Sequence, residues 1–262
     1  MKWMLLAATI GLLIALEVGS PGGEPFDIVD TGSDSSTPGA STNGQQPRLT
    51  KPSDLLLLEG PDRDSWQKPE QIMDELRIAE RSRVADIGAG SGWFTVRLAQ
   101  RVGDSGRVYA TDVQPEMLTA ITRRVSRERS SCRAESDTGC NVETVRSSGN
   151  ATNLPLGTLD AILVVDVYPE LDERVTFLRN LTKSLKPRGR IGVVNYKPGA
   201  GGPGPAPERR FPPSVVEQDA RDANLRVLST MDLRYQYVIV LGRGGSSDPP
   251  SPSATSPRKS GP

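Results

Sequence analysis

The sequence has no histidine, only two cysteines and no net charge, since 32 basic side chains balance 32 acidic ones over 262 residues. Without histidine, Ser-His and Cys-His nucleophile pairs, HExxH metalloprotease sites and Cys/His zinc fingers cannot be built from this chain alone. Two cysteines cannot supply a four-thiolate zinc site or an iron–sulfur cluster, and no metal site is expected. No global basic field exists to hold a phosphate backbone, so nucleic acid is not an expected partner. Long hydrophobic runs are scarce as well. The prominent one, residues 3–16 (WMLLAATIGLLIAL), follows Met1-Lys2 and precedes Glu17.

That run is about 14 residues long, short of the roughly 20 a spanning helix needs, and fits a secretory h-region. The acidic, lysine-free stretch after it favours keeping Lys2 inside and sending the rest out. Val18 and Ser20 suit a cleavage site, although Pro21 would then lead the mature chain. Residues 1–19 are therefore read as a signal peptide or an uncleaved N-terminal anchor. Gly (26) and Pro (22) make up about 18% of the chain, against roughly 12% on average, and they concentrate at the ends. Residues 20–53 and 243–262 lack the large apolar side chains needed to offset ordering entropy and are read as a disordered linker and tail. Residues 54–242 form the expected domain, of ordinary single-domain size.

Within it, two periodicities alternate. Short β-type runs are expected at residues 84–87, 108–111, 142–145, 161–165, 191–194 and 237–241, with helical patterns between most of them. Phe94, Leu98 and Val102 stand four apart; Leu118, Ile121 and Val125 share one face, as do Leu178, Leu181 and Leu185. Ser214 with Glu217 reads as a capping box opening a helix that ends near Asn224. This alternation predicts an α/β fold: a doubly wound, Rossmann-like, mainly parallel sheet of seven strands with helices on both faces. The last two strand-like runs have no helix between them and are expected to form an antiparallel hairpin at one edge. A polar insertion from 127 to 140 carries Cys132 and Cys140, and a Gly/Pro-rich loop spans 198–213.

The chemistry concentrates in Val84-Ala85-Asp86-Ile87-Gly88-Ala89-Gly90-Ser91-Gly92-Trp93-Phe94. A strand runs into three alternate glycines and a helix follows. Glycine is needed where the backbone takes positive φ or a ligand touches the main chain, and the amides opening the helix suit an anionic group. A dinucleotide fingerprint would want its third glycine where Trp93 stands, which argues against a nicotinamide oxidoreductase. Asp86 beside the turn suits a ligand with a cationic group. Asp112, 20 positions after Gly92, ends the second strand, where a doubly wound sheet lets a carboxylate accept both ribose hydroxyls.

These residues resemble the class I S-adenosylmethionine-dependent methyltransferases, over roughly residues 66–242. VADIGAGSGWFTVRLA looks like the first motif and VYATDVQPEML like the second; LPLGTLDAILVVDVYPEL resembles the fourth-strand region and LKPRGRIGVVNY the turn into the fifth strand. The likeness is nearest to the small-molecule branch that includes the quinone-biosynthesis enzymes. It implies S-adenosyl-L-methionine as cofactor and a small-molecule methyl acceptor. By the resemblance Gly88 and Gly90, with Ala89 and Gly92 in the same turn, pass under the methionine moiety, and Asp86 orients its amino group. Asp112 would hold the ribose and Val113 pack on the adenine. Gly149-Asn150-Ala151 stands where the family often has Gly-Asp-Ala, and the Asn150 carbonyl can still meet an exocyclic amine. Asp166 ends the fourth strand beside the expected methyl-transfer position. Asp166-Val167-Tyr168-Pro169 is not the Asp/Asn-Pro-Pro-Tyr of enzymes that modify amides or adenine, and relatives often carry histidine where Pro169 stands.

A sulfonium methyl is already activated, so placement and exclusion of water supply much of the rate. A base is needed only for an acceptor protonated at working pH. Asp166 and Tyr168 are the expected catalytic residues, with Tyr196 and Lys197 as alternatives; each is equally consistent with a plain strand end. Trp66 would either close over the ligand or pack in the core. Arg209, Arg210 and Phe211 lie where such folds often build a substrate lid. Cys132 and Cys140, away from the expected pocket, argue against arsenic methylation and would pair locally in an exported domain. The N-terminus points outward, to a secreted, periplasmic or membrane-anchored protein, whereas the cofactor is made in the cytosol. Three resolutions remain: an anchor leaving the domain on the cytoplasmic face, an exported enzyme, or an exported binding or scaffold domain that keeps the fold without catalysis.

Overall fold

The computed structural model describes residues 60–128 and 140–245. The expected leader (1–19), the linker (20–53), Cys132 and most of the C-terminal tail lie outside the described residues.

The core is one seven-stranded sheet in the order β3-β2-β1-β4-β5-β7-β6. Its strands are β1 (Arg83–Ile87), β2 (Arg107–Asp112), β3 (Val142–Arg146), β4 (Leu159–Val165), β5 (Leu185–Tyr196), β6 (Leu225–Asp232) and β7 (Gln236–Arg243). The first five run parallel, and β7 lies antiparallel between β5 and β6. The central strands read as unbroken apolar runs because both their faces are covered. Edge strand β3, VETVR, is half polar and partly exposed.

Six helices are described: α1 (Arg63–Gln67), α2 (Pro69–Glu75), α3 (Trp93–Val102), α4 (Pro115–Glu128), α5 (Arg174–Ser184) and α6 (Pro213–Asp222). On one face Phe177, Leu178 and Leu181 of α5, with Val216 and Ala220 of α6, pack on Ile162, Val164, Ile191 and Val193. On the other, Ile72 and Met73 of α2 and Phe94, Leu98 and Val102 of α3 meet Val84, Val108, Leu163 and Val194. Ile121 and Val125 of α4 pack with Val96 and Ala110. Each fully buried side chain of this size contributes about 1.5–3 kcal/mol.

Three details differ from the sequence expectation. Helix α6 begins at Pro213 with Pro212 as N-cap and no side-chain cap, so Ser214 and Glu217 form no capping box. Proline's preset φ and missing N–H make it a natural first helical residue, which moves Ser214 into the first turn. Strand β5 starts directly from α5: Leu185 pairs with Leu159 and Arg190 with Ala161, so the Lys-Pro-Arg-Gly segment is a bulge in the ladder. Strand β7 runs from Gln236 to Arg243, extending the expected run 237–241 at both ends.

The chain leaves β1 toward β2 and β3 on one side and returns to β4 on the other. Strand order reverses there, and in an open α/β sheet the ligand crevice lies beyond the carboxyl ends of the strands at this point.

Candidate active site

A cleft of about 460 Å³ opens at that position, and Asp86, Gly88, Ala89, Gly90, Asp112, Val113 and Asp166 all line it. The glycine turn forms its floor. Gly88 has φ +62°, and a Cβ there would lie 2.2 Å from Val167 Cγ2. The N–H of Ala89 donates to the Thr111 carbonyl at 2.9 Å, which ties the turn to β2. The N–H of Gly90 donates to Asp112 Oδ2 at 3.0 Å. Gly92 plays a different part. At φ +81° it caps α3, and a Cβ would sit 3.3 Å from Ile121 Cγ1 of α4. It lies at a helix contact, not on the cleft wall.

Three acids stand at the ends of β1, β2 and β4. Asp86 is 2% exposed and accepts the Thr95 hydroxyl at 2.6 Å. Burial pushes its carboxyl up to about 7, with Thr95 and the Arg63 charge pulling the other way. Asp112 accepts Gly90 N–H on one oxygen and Gln114 N–H, at 3.0 Å, on the other; burial still raises its pKa. Each carboxylate oxygen keeps a further lone pair for a ligand. Val113 beside it is 41% exposed, an apolar side chain left uncovered at the cleft wall. Asp166 adopts φ +57°, a left-handed backbone uncommon for a residue with a β-carbon. Burial lifts its carboxyl to about 7, opposed by Arg63, by a hydrogen bond from Gln236 and by Arg210.

Other expected residues are turned elsewhere. Tyr168 is fully buried; its hydroxyl donates to Asp219 Oδ2 at 2.6 Å, and the same oxygen accepts Arg174 Nε at 2.7 Å. It packs in the core and its proton is harder to remove than an ordinary tyrosine's, burial being the main cause. The expectation of a catalytic Tyr168 is corrected accordingly. A 3₁₀ turn, Tyr168–Glu170, presents Pro169 and Glu170 to the cleft and points Tyr168 inward. Asn150 does not reach the cleft: its side chain donates to Glu173 at 3.1 Å and its carbonyl accepts from Asn180 at 3.0 Å. Ala151 closes a small bridge with Ser148, and Gly149 with Ser147 lines the cleft in their stead. Lys197 pairs with Asp232 and donates to the Leu233 carbonyl at 2.6 Å, away from the cleft. Trp66 is core, with its ring 6.1 Å from Tyr196 and 5.7 Å from Tyr235.

Tyr196, Arg209 and Arg210 do line the cleft. Arg209 pairs with Glu170, and Arg210 donates to the carbonyls of Pro205 and Gly201, both at 2.9 Å, so it stitches the Gly/Pro-rich loop together. Phe211 packs on the core under Arg174. Cys140 is a free cysteine. Arg63 is a cleft residue that the sequence did not reveal; it lies 4.1 Å over the Trp93 ring. It belongs to a five-residue helix with no periodicity of its own, so no local signal marked it.

Residues 84–189 match a family described as a methyltransferase domain. The chain is 31% identical over 119 residues to the ubiquinone/menaquinone biosynthesis C-methyltransferase UbiE of Pasteurella multocida (strain Pm70), covering 45% of this chain and 41% of that protein. It is also 31% identical over 128 residues to an uncharacterized methyltransferase of Mycobacterium tuberculosis (strain ATCC 25618 / H37Rv), covering 48% and 44%. The chain thus spans less than half the length of these curated relatives. A SAM-dependent methyltransferase from Aquifex aeolicus aligns with a TM-score of 0.66 and 29% identity, over 74% of this chain and 98% of that one. Fold, cleft and likeness together make residues 84–189 similar to the class I S-adenosylmethionine-dependent methyltransferase domains.

S-adenosylmethionine is the cofactor of the class, and the cleft residues fit it. A Cβ would fill the Gly88 cradle, a buried carboxyl at Asp86 can face an ammonium, and Asp112 with exposed Val113 offers acceptors and an apolar wall to a nucleoside.

Proposed function

We propose that this protein transfers a methyl group from S-adenosylmethionine to a small-molecule acceptor. The observation that carries the reading is the convergence of Asp86, Asp112 and Asp166 on one cleft around the Gly88–Gly90 turn. A volume of about 460 Å³ lies in the range of small-molecule sites. Leu171, Phe177, Pro205 and Tyr196 give the acceptor side an apolar and aromatic wall.

Bound S-adenosylmethionine supplies a methyl group activated by its sulfonium sulfur. In this reading Asp86 holds the amino group, Asp112 the ribose hydroxyls, and Val113 covers the adenine. Asp166 accepts the proton that the acceptor's attacking atom gives up. A carboxyl near 7 is matched to that role at neutral pH. The Gly/Pro-rich loop held by Arg210 and the Glu170–Arg209 pair shield the acceptor side from water.

The test is calorimetric titration of the full chain with S-adenosylmethionine and with its demethylated product, then transfer of radiolabelled methyl to metabolites of an extract. Binding, with label that disappears in Asp112→Ala, supports the proposal. Absence of heat at hundreds of micromolar ligand sinks it. Binding without label supports a non-catalytic binding domain, the reading favoured by Asn150 facing away from the cleft. The apolar run at residues 3–16 supports export or membrane tethering of the domain; fractionation with a C-terminal tag and mapping of the mature N-terminus tests it.

A further inference from the structure

Two glutamines lie in the core with no exposure at all, Gln67 at the end of α1 and Gln236 at the start of β7. They stand 169 positions apart and are joined side chain to side chain, Gln67 Nε2 donating to Gln236 Oε1 at 2.8 Å. Upstream, Arg63 Nε donates to Gln67 Oε1 at 2.6 Å. Downstream, Gln236 Nε2 donates to both carboxylate oxygens of Asp166, each at 3.0 Å.

The direction of this chain is determined at its start. A guanidinium has donors only, so Gln67 must turn its oxygen to Arg63 and its amide nitrogen to Gln236. Gln236 must then accept on its oxygen and present its nitrogen to Asp166. Two buried amides cost more to place in a core than an apolar pair of the same size, so the polarity requires a reason. The reason lies at the far end. Asp166 sits on a left-handed backbone, φ +57°, a conformation uncommon for a residue with a β-carbon. Its N–H is fastened to the Val194 carbonyl at 2.9 Å and its carboxylate to Gln236.

We propose that Gln67 and Gln236 are positioning residues that relay a hydrogen bond from Arg63 to Asp166, favouring its ionised form and aiming its carboxylate into the cleft. The inference rests on the reading of Asp166 as the group facing the acceptor. Its charged and titratable neighbours come from every side: Arg63 on α1, Arg210 on the Gly/Pro-rich loop, Tyr196 on β5 and Tyr237 on β7. Gln236 and Gln67 are neutral, so their effect on Asp166 is through hydrogen bonding alone.

The experiment is a pH titration of the full chain carrying ¹³C at its aspartate carboxyls, followed by NMR, with the Asp166 resonance identified by its loss in Asp166→Asn. In Gln236→Met the Asp166 midpoint rises by about one pH unit, since a donor to the ionised form is gone. In Gln67→Met, which leaves Asp166 untouched, the midpoint rises as well, because Gln236 loses the partner that orients it. In the unaltered chain, the side-chain amide resonances of Gln236 and Gln67 titrate with the Asp166 midpoint, a reading that needs no variant to fold. Folded variants with an unmoved midpoint, or amide resonances indifferent to Asp166, overturn the inference and leave only a tie between α1 and β7. Calorimetry with S-adenosylmethionine on the same samples separates the two proposals. Binding with an unmoved midpoint ends this one alone, whereas a shifted midpoint without binding ends the methyl-transfer reading and leaves the relay standing.

Discussion

Gly88 and Gly92 both have positive φ, but they answer to different neighbours, and substitution separates them. In Gly88→Ala the new Cβ meets Val167 at the cleft floor. We expect a stability loss of about 1–3 kcal/mol from the strained backbone and a loss of cofactor affinity of at least about tenfold. In Gly92→Ala the Cβ meets Ile121 behind the cleft. Stability then falls by about 1–2 kcal/mol while affinity is retained. Urea denaturation and calorimetry on both variants check the pair; equal affinity losses would refute the division of roles. Asp86 and Asp112 were legible from sequence because a strand end sets where its side chain sits, Asp86 just before the glycine turn and Asp112 at the end of the next strand. Tyr168 was not, because a 3₁₀ turn rotates successive side chains by about 120° and a one-residue difference turns cleft into core. Arg63 was not either, for it reaches the cleft only through the packing of α1 against Trp93.

Among the elements, the Tyr168–Asp219–Arg174 cluster joins the turn after β4 to α5 and α6. Tyr168→Phe removes one hydrogen bond to a carboxylate that keeps its arginine, so we expect a loss of about 1–3 kcal/mol in urea denaturation. Cofactor affinity stays as it was, and a large drop would return Tyr168 to the site. Helices α3, α4 and α5 were legible through their apolar spacing, since each must bury one stripe against the sheet. The start of α6 was not, because Ser-x-x-Glu and Pro compete for the same helix entrance, and proline's fixed φ prevails. The Lys-Pro-Arg-Gly bulge was hidden as well: a ladder shift depends on the partner strand β4, which lies elsewhere in the sequence.

At the scale of the molecule, the buried acids make stability depend on pH. The carboxyls of Asp86 and Asp166 rise from 3.8 to about 7 on folding. Between these values the folded chain holds protons that the unfolded chain has released, so ligand-free stability falls as pH increases. The contribution is full below the unfolded value, is lost as pH rises through about 7, and is flat beyond. Denaturant midpoints of the ligand-free chain from about pH 5 to about pH 8 should therefore decline, with a gentler slope in Asp166→Asn; a rising curve would contradict the burial of these groups.

The sequence by itself determined the alternation of strands and helices, the mainly parallel sheet with its antiparallel edge, and the glycine turn flanked by Asp86 and Asp112. Those are demands of backbone geometry and apolar periodicity, met by residues within a turn or two of one another. Tertiary structure alone decided that Tyr168 faces the core, that Asn150 turns to Glu173, and that Arg63, Gln67 and Gln236 meet beneath Asp166. Side-chain direction and buried hydrogen bonds between distant positions arise only when the layers pack, since no local preference distinguishes a glutamine that will be buried from one left in water.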